Sequence, residues 1–493
     1  MQGLVSLFSW SIDGVIILVY IIGTLLAGLA VRRYVKNVND YLVAGRQVDL
    51  YLGIASLAAT EFGIVTCMAN AELGYKYGFA GITPGIALFV SMLFVGITGF
   101  CIRPLRDRGV ITVPEFFEQK FGKRVRWASG VVIVLGGLLN MGVFLRMGGD
   151  FLTLIFGLDT GYLEVMMTII LLIVAIYTIL GGMLSVLVTD YLQFIVMSIG
   201  LLSVVLICIT QYGWSNLTEN LNSLYGARAF NPFIGGTYGL DRIMVDILTG
   251  LASILTWQTM ITRVLAAKDS DTGQKIYRST APFFLVRFAL PAFLGVAALY
   301  YFTQNGGAPE REILALPVFL SNAIPVGILG LLIAGMLAAD MSTNSSYMLA
   351  WSSVIYNDIL APIHKGQWSA RKGLVTNRLL VAGIGIFLLL YGLWYPLKGD
   401  LWVYLQVTGT IYLASMSTIL IAACYWPRAN NWGAIASIIV GSIIPIIYLV
   451  MQQLENTQDL AIQIGPYKST IFAFVMTALA MYVGSKLKDM VKE

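Results

Sequence analysis

The sequence predicts an all-α, polytopic membrane protein of about 13 transmembrane helices. Three observations carry this prediction. Hydrophobic residues make up 58% of the 493-residue chain and charged residues 12%, against about 25% charge in a soluble domain. Apolar runs of roughly 18 residues or more recur along the whole length, each able to cross the hydrocarbon core. Between them, loops rich in lysine and arginine alternate with loops poor in both, the pattern that the positive-inside rule produces.

The runs fall at about 11–31, 49–78, 82–102, 127–157, 160–180, 185–211, 240–266, 281–302, 325–357, 376–397, 401–426, 431–452 and 469–486. The basic loops hold Arg32, Arg33, Lys36 and Arg46, then Arg103 to Arg126, Arg263 to Arg278, Lys365 to Arg378, Arg428 and the last lysines. The others hold only Lys76, Arg228, Arg242, Arg311, Lys398 and Lys468, a division of 23 against 6, with Arg146 and Arg287 inside spans. Positive charge stays cytoplasmic, which places the N-terminus outside and the C-terminus inside a cell (inner or plasma) membrane. The net charge of +5 follows that topology and says little about nucleic acid.

The first apolar run lacks a preceding basic region, so no cleavable signal peptide is expected. No stretch between spans is long enough for a separate soluble domain. The longest outer loop, about 212–239, is polar and glycine-rich and has no catalytic pattern; its Asn216-Leu-Thr218 sequon reads as a chance match. Cys67, Cys101, Cys208 and Cys424 lie in apolar segments without metal or disulfide spacing and read as small core residues. The single histidine, His364, falls in a cytoplasmic loop, which argues against a transition-metal site.

Polar groups inside spans are costly and mark candidate sites. The second span has Gly63 at its middle, flanked by Thr60 and Glu61, with Thr66, Asn70 and Glu72 beyond. An interrupted helix there frees backbone carbonyls as ion ligands, and Glu61 needs a partner. In the fourth span Arg146 and Asp150, at i and i+4, are expected to form a local ion pair, with Asn140 facing a central cavity. In the sixth, Asp190 follows a Gly-Gly turn, with Gln193 three residues on, and should find a cation: a Lys/Arg or a bound ion. The ninth carries LAADMSTNSSYMLAWSSV, in which Ser342, Ser345 and Ser346 share one face with Ala339, and Thr343 sits at its edge. Hydroxyls on adjacent positions suit a hard cation such as sodium, whereas Ser352 and Ser353 read as packing.

Spans two to six and seven to eleven run in opposite senses, and the first span of each set has an unusual middle, Gly63 in one and Gly250 to Thr259 in the other. That pattern fits an inverted-repeat transporter with paired discontinuous helices: a first repeat at 49–211, a second at 240–426, an extra N-terminal helix at 11–31 and two C-terminal helices at 431–486, all within one transporter domain, 1–493.

The segments YLVAGRQVDLYLGIASLAAT, YTILGGMLSVLVTDYLQ, TRVLAAKD, LAADMSTNSSYMLAWSSVIYNDI and YWPRANNWGAIAS together resemble the sodium:solute symporter family, whose members include glucose, proline, sialic acid and choline carriers. The resemblance covers essentially the whole chain and implies a leucine-transporter-type fold. It implies a shared sodium site from Ala59, Phe62, Ala339, Ser342 and Thr343, and a second from Asp190, Ser342, Ser345 and Ser346. Sodium, one ion or two, would be the coupling ion, and no other cofactor is implied. The family's cavity positions correspond here to Thr60, Glu61, Thr66, Asn140, Trp257, Gln258 and Gln406. Val65-Thr66 stands where sugar carriers have Glu-Gln, and Asn140 where sialic acid carriers have arginine, which counts against a hexose and a clamped carboxylate. Trp257-Gln258 resembles the choline carriers, but Glu61 and Asn140 replace their stacking aromatics.

The expected activity is sodium-coupled secondary active symport of a small organic solute by alternating access. Glu61 favours a zwitterionic or cationic, amine- or amino-acid-like substrate; a sugar acid, carboxylate or sugar is the alternative. The unit expected is a monomer in a lipid bilayer, with no nucleic-acid partner. A solute sensor would carry a signalling domain, and the chain ends at KLKDMVKE. Proton coupling through Glu61 or Asp190 competes with sodium, but the serine cluster needs no titration. No nucleophile–base constellation or phosphate loop points to an enzyme.

Overall fold

The computed structural model describes residues 7–234, 238–363, 369–395 and 400–492, and these are helical throughout, apart from turns, loops and one isolated bridge. The helices that build the bundle are α1 (Asp13–Ala30), α2 (Leu50–Thr60), α3 (Ile64–Tyr77), α4 (Thr83–Thr98), α5 (Lys123–Met141), α6 (Phe144–Ile155), α7 (Leu163–Tyr212), α8 (Leu240–Thr256), α9 (Gln258–Ala266), α10 (Ser270–Asn305), α11 (Ile328–Val354), α12 (Ala370–Trp394), α13 (Leu401–Tyr425), α14 (Asn431–Gln453) and α15 (Pro466–Lys492). His364, which the sequence places in a loop, lies outside the described residues.

Among the described residues, 11 helical stretches are long and apolar enough to cross a membrane, not 13. The physical reason is continuity through reversals. The Leu163–Tyr212 stretch is 50 residues long, about 75 Å at helical rise, far more than a hydrocarbon core of roughly 30 Å. It bends at Gly182, whose φ of +53° suits glycine and whose Cβ would meet Tyr41 Cδ2 at 2.5 Å. Ile64–Thr98 likewise joins α3 to α4 through a short 3₁₀ turn.

The two helix breaks fall in corresponding parts of the two halves. Between α2 and α3 the chain leaves helical geometry at Glu61 and becomes extended at Gly63 (ψ 174°). Between α8 and α9 the break is at Trp257 (ψ 113°), within the expected Gly250 to Thr259 stretch, whose Gly250 stays helical.

Backbones touch where glycines allow it. A Cβ on Gly74 would lie 2.0 Å from the Ala292 carbonyl oxygen, and one on Gly295 2.0 Å from that of Ala71, so α3 and α10 pack through small residues. At the centre runs α11, buried at every residue except Ile328 and Leu331. Its N-terminus is held by α1: Asp13 Oδ1 accepts the Gly327 and Gly330 amides at 2.7 and 2.8 Å, satisfying donors that a helix end leaves orphaned. Past its other end, Arg126 donates to Asp358 at 2.8 Å and to Glu118 at 2.6 Å. At the start of α10, Asp269 accepts the Thr272 amide at 2.7 Å, and that bond holds its carboxyl below the usual carboxylate range.

Candidate functional site

One helix presents two faces. Residues two apart on a helix point roughly 200° apart, so Asp340, Asn344 and Tyr347 share one side of α11 and Ser342 and Ser346 another. Thr343 lies between them and reaches the break in the first half: its hydroxyl donates to the Thr60 carbonyl at 2.9 Å. A Cβ on Gly63 would stand 2.8 Å from Thr343 Oγ1, so glycine is what lets the broken helix come this close. The Ala59 carbonyl takes the Phe62 amide at 3.2 Å. Ala59, Phe62, Ala339, Ser342 and Thr343 are all buried around this junction. Their carbonyl and hydroxyl oxygens are the donors a hard cation takes.

On the serine side, Asp190 is fully buried and accepts Ser342 Oγ at 2.5 Å and Ser56 Oγ at 2.5 Å. Its cation is Arg263. Arg263 Nη2 lies 3.3 Å from Asp190 Oδ2, 2.5 Å from Ser346 Oγ and 2.6 Å from Thr60 Oγ1, and Nε lies 3.1 Å from Ser56 Oγ. Ser345 turns away, donating to the Ser342 carbonyl at 3.0 Å. The sequence reading counted Arg263 as a loop charge that reports topology; it is 1% exposed and sits inside α9. Ser56 was missed too, although Ser56 and Thr60, at i and i+4, share a face of α2. Gln193 is buried, and among the described residues no hydrogen bond links it to Asp190.

The Asp340 side opens on a cavity of about 840 Å³, part of it continuous with solvent. Glu61, Thr66, Asn140, Trp257 and Gln406 line it, whereas Thr60 and Gln258 do not. Thr60 is engaged with Arg263 and Ser346, and Gln258 is buried with both amide atoms unpartnered. Glu61 is not free: Arg287 Nη1 lies 3.5 Å from its carboxylate and donates to its carbonyl at 2.5 Å, and Thr259 Oγ1 donates to the carboxylate at 2.6 Å. Asn140 donates to the Leu405 carbonyl and Thr408 hydroxyl at 2.8 and 3.0 Å. The Trp257 indole donates to Tyr347 at 2.9 Å. Two more carboxylates, Asp246 and Asp340, line the same space and were not among the predicted site residues.

The Arg146–Asp150 ion pair does not form. Arg146 donates to the Gly392 carbonyl at 3.1 Å, and Asp150 lies 3.6 Å from Arg311. Same-helix spacing permits such a pair, but each group meets a partner elsewhere, Arg146 a carbonyl of α12 and Asp150 an arginine in the loop after α10.

Comparison with known proteins adds the following. The profile of the sodium:solute symporter family matches residues 41–441. The chain is similar to a sodium/glucose cotransporter 4 of Danio rerio, with 26% identity across 90% of this chain and 72% of the relative. It is also similar to a high-affinity proline transporter of Bacillus subtilis, with 25% identity across 86% and 89%. In fold it is similar to a solved Na⁺-coupled sialic acid symporter in a substrate-bound outward-open state, with a TM-score of 0.82, 20% identity, and 96% and 97% of the two chains covered. These relatives are transporters, not enzymes. With the family profile spanning most of its length, the chain belongs to the sodium:solute symporter family.

Proposed function

We propose that the protein carries a small organic solute inward with one sodium ion, by alternating access between the two sides of a cell membrane. The observation that carries the sodium reading is the contact of Thr343 with the broken helix at Thr60 and Gly63. The ion would bind there to the carbonyls of Ala59, Phe62 and Ala339 and the hydroxyls of Ser342 and Thr343. Ser342 can donate to Asp190 and still offer lone pairs to the ion.

The second set, Asp190, Ser342, Ser345 and Ser346, does not fit a further sodium. Arg263 already supplies the positive charge, its Nη2 takes Ser346, and Ser345 is turned to its own helix. This arrangement favours one coupling ion over two. The membrane potential contributes about 2.3 kcal/mol per sodium charge for each 100 mV, in addition to the sodium concentration gradient.

The cavity beside the sodium position would take the solute, with Glu61, Thr66, Asn140, Trp257 and Gln406 on its walls. An amine- or amino-acid-like solute is preferred over a carboxylate, because Arg287, the cavity's arginine, is committed to Glu61. The proposed topology keeps 13 crossings, N-terminus outside and C-terminus cytoplasmic. With Arg263 and Arg242 both buried inside helices, the count becomes 22 basic residues against 5. The two inverted repeats at 49–211 and 240–426 and a monomeric transport unit complete the reading. Uptake of a panel of amino acids, amines, sugar acids and sugars into proteoliposomes, under inward sodium or potassium gradients, tests it. Accumulation under sodium alone is expected, and uptake indifferent to sodium refutes it.

A further inference from the structure

Resting on this symport reading, we propose that Asp340 is the residue that selects the solute, by binding an ammonium group that carries N–H donors. Asp340 is 1% exposed and lines the cavity. A carboxylate buried in this way is costly unless paired. Among the described residues, the ion pairs all use other acids, and the Asp340 side chain bonds only to Asn344 Nδ2 on its own helix, at 2.9 Å. The other cavity carboxylates differ. Glu61 is neutralised by Arg287, and Asp246 accepts Tyr238 at 2.6 Å and Gln406 at 2.7 Å.

The surroundings fit an amine head. Asn344, one turn along α11, holds the carboxylate in place through Nδ2, and its own Oδ1 is buried without a donor, although it is not on the cavity wall. Phe144 and Tyr347, with ring centroids 5.3 Å apart, also line the cavity, and aromatic rings attract a cation. Across from Asp340, Gly148 has no side chain: a Cβ there would lie 3.4 Å from Asp340 Oδ2. Acceptor oxygens select N–H donors over a quaternary ammonium, which has none to give. The opposite face of the helix is committed to Asp190, so sodium and solute would be read by two sides of one element.

The test uses full-length protein in lipid nanodiscs, with thermal shift and equilibrium binding in sodium and in potassium. The probes are L-alanine, β-alanine, ethanolamine and 1,4-diaminobutane, each beside its N-acetyl and N-trimethyl counterpart. At least one primary amine should bind, its N-acetyl and N-trimethyl forms at least about 10-fold more weakly, as loss of a charge-assisted hydrogen bond implies. Asp340→Asn should weaken that amine by a similar factor while keeping the sodium-induced shift. Binding of none of the amines, equal binding of the N-acetyl form, or full amine affinity in Asp340→Asn overturns the proposal. Amine binding that ignores sodium would instead overturn the symport reading and leave the Asp340 assignment standing.

Discussion

Replacing Arg263 with alanine should convert a built-in cation into a vacancy that sodium competes to fill. The wild-type guanidinium reaches Asp190, Ser346, Thr60 and Ser56 at 2.5–3.3 Å, with both charged partners essentially without solvent. Breaking one partner of a buried pair costs about 3–5 kcal/mol, and Asp190 is then left with the hydroxyls of Ser342, Ser56 and Thr60 as donors. Sodium bound at about 100 times its dissociation constant returns roughly 2.7 kcal/mol. The variant should therefore unfold readily in potassium, and sodium should recover much of the loss, whereas wild type should gain only from its own sodium site. The assay is thermal unfolding in nanodiscs across a sodium titration, alongside sodium activation of uptake. The sodium Hill coefficient should be one in wild type and rise towards two in the variant. The double change Arg263→Ala, Asp190→Asn should restore stability in potassium and abolish the extra sodium response, a coupling that a double-mutant cycle reads directly. The reasoning fails if Arg263→Ala is as stable as wild type in potassium, or if wild type already shows a coefficient of two.

Other substitutions separate the remaining parts of the account. Thr343→Ala should raise the sodium concentration for half-maximal uptake at least about 10-fold with little change in unfolding temperature; equal sodium dependence would exclude Thr343 as a ligand. Gly63→Ala should do the same by pushing Thr343 off the broken helix, since its Cβ would lie 2.8 Å from the hydroxyl, and normal sodium activation would contradict that contact. Glu61→Gln strands the buried Arg287 and should cost about 3–5 kcal/mol of stability; a change in KM with no thermal effect would show that Glu61 serves the solute instead. Asp13→Ala removes the cap on α11 and should cost about 1–2 kcal/mol, read as a lower unfolding temperature, with no loss expected if α1 is merely peripheral.

Much of this architecture is readable in the sequence because the bilayer imposes strong rules. Apolar runs and basic loops gave the class, and Gly63 marked the break because a glycine beside Glu61 in mid-span is hard to explain otherwise. Asp190 had to find a cation for the same reason. What was not readable is which cation. Arg263 lies near the end of its span, where positive-inside counting treats any arginine as cytoplasmic, and its contacts to Ser56, Asp190 and Ser346 join segments 73 to 207 residues apart. Glu61 and Arg287 are likewise separated by 226 residues, so the need for a partner was visible and its identity was not. Asp340 lies in the same polar stretch, but its place on the cavity wall depends on how α11 packs among distant helices. The thirteen runs merged into fewer helices because a glycine bend or a 3₁₀ turn can reverse a chain without a break in hydrogen bonding.

The central claim is that one sodium ion crosses with each solute, bound where Thr343 meets the broken helix. The most direct measurement is simultaneous uptake of radiolabelled sodium and the solute identified by the panel, in proteoliposomes clamped at fixed potential. The account predicts a one-to-one flux ratio, lost in both labels together in Thr343→Ala. Solute entry that proceeds unchanged without sodium, or a ratio of two sodium ions per solute with Arg263 intact, would contradict it.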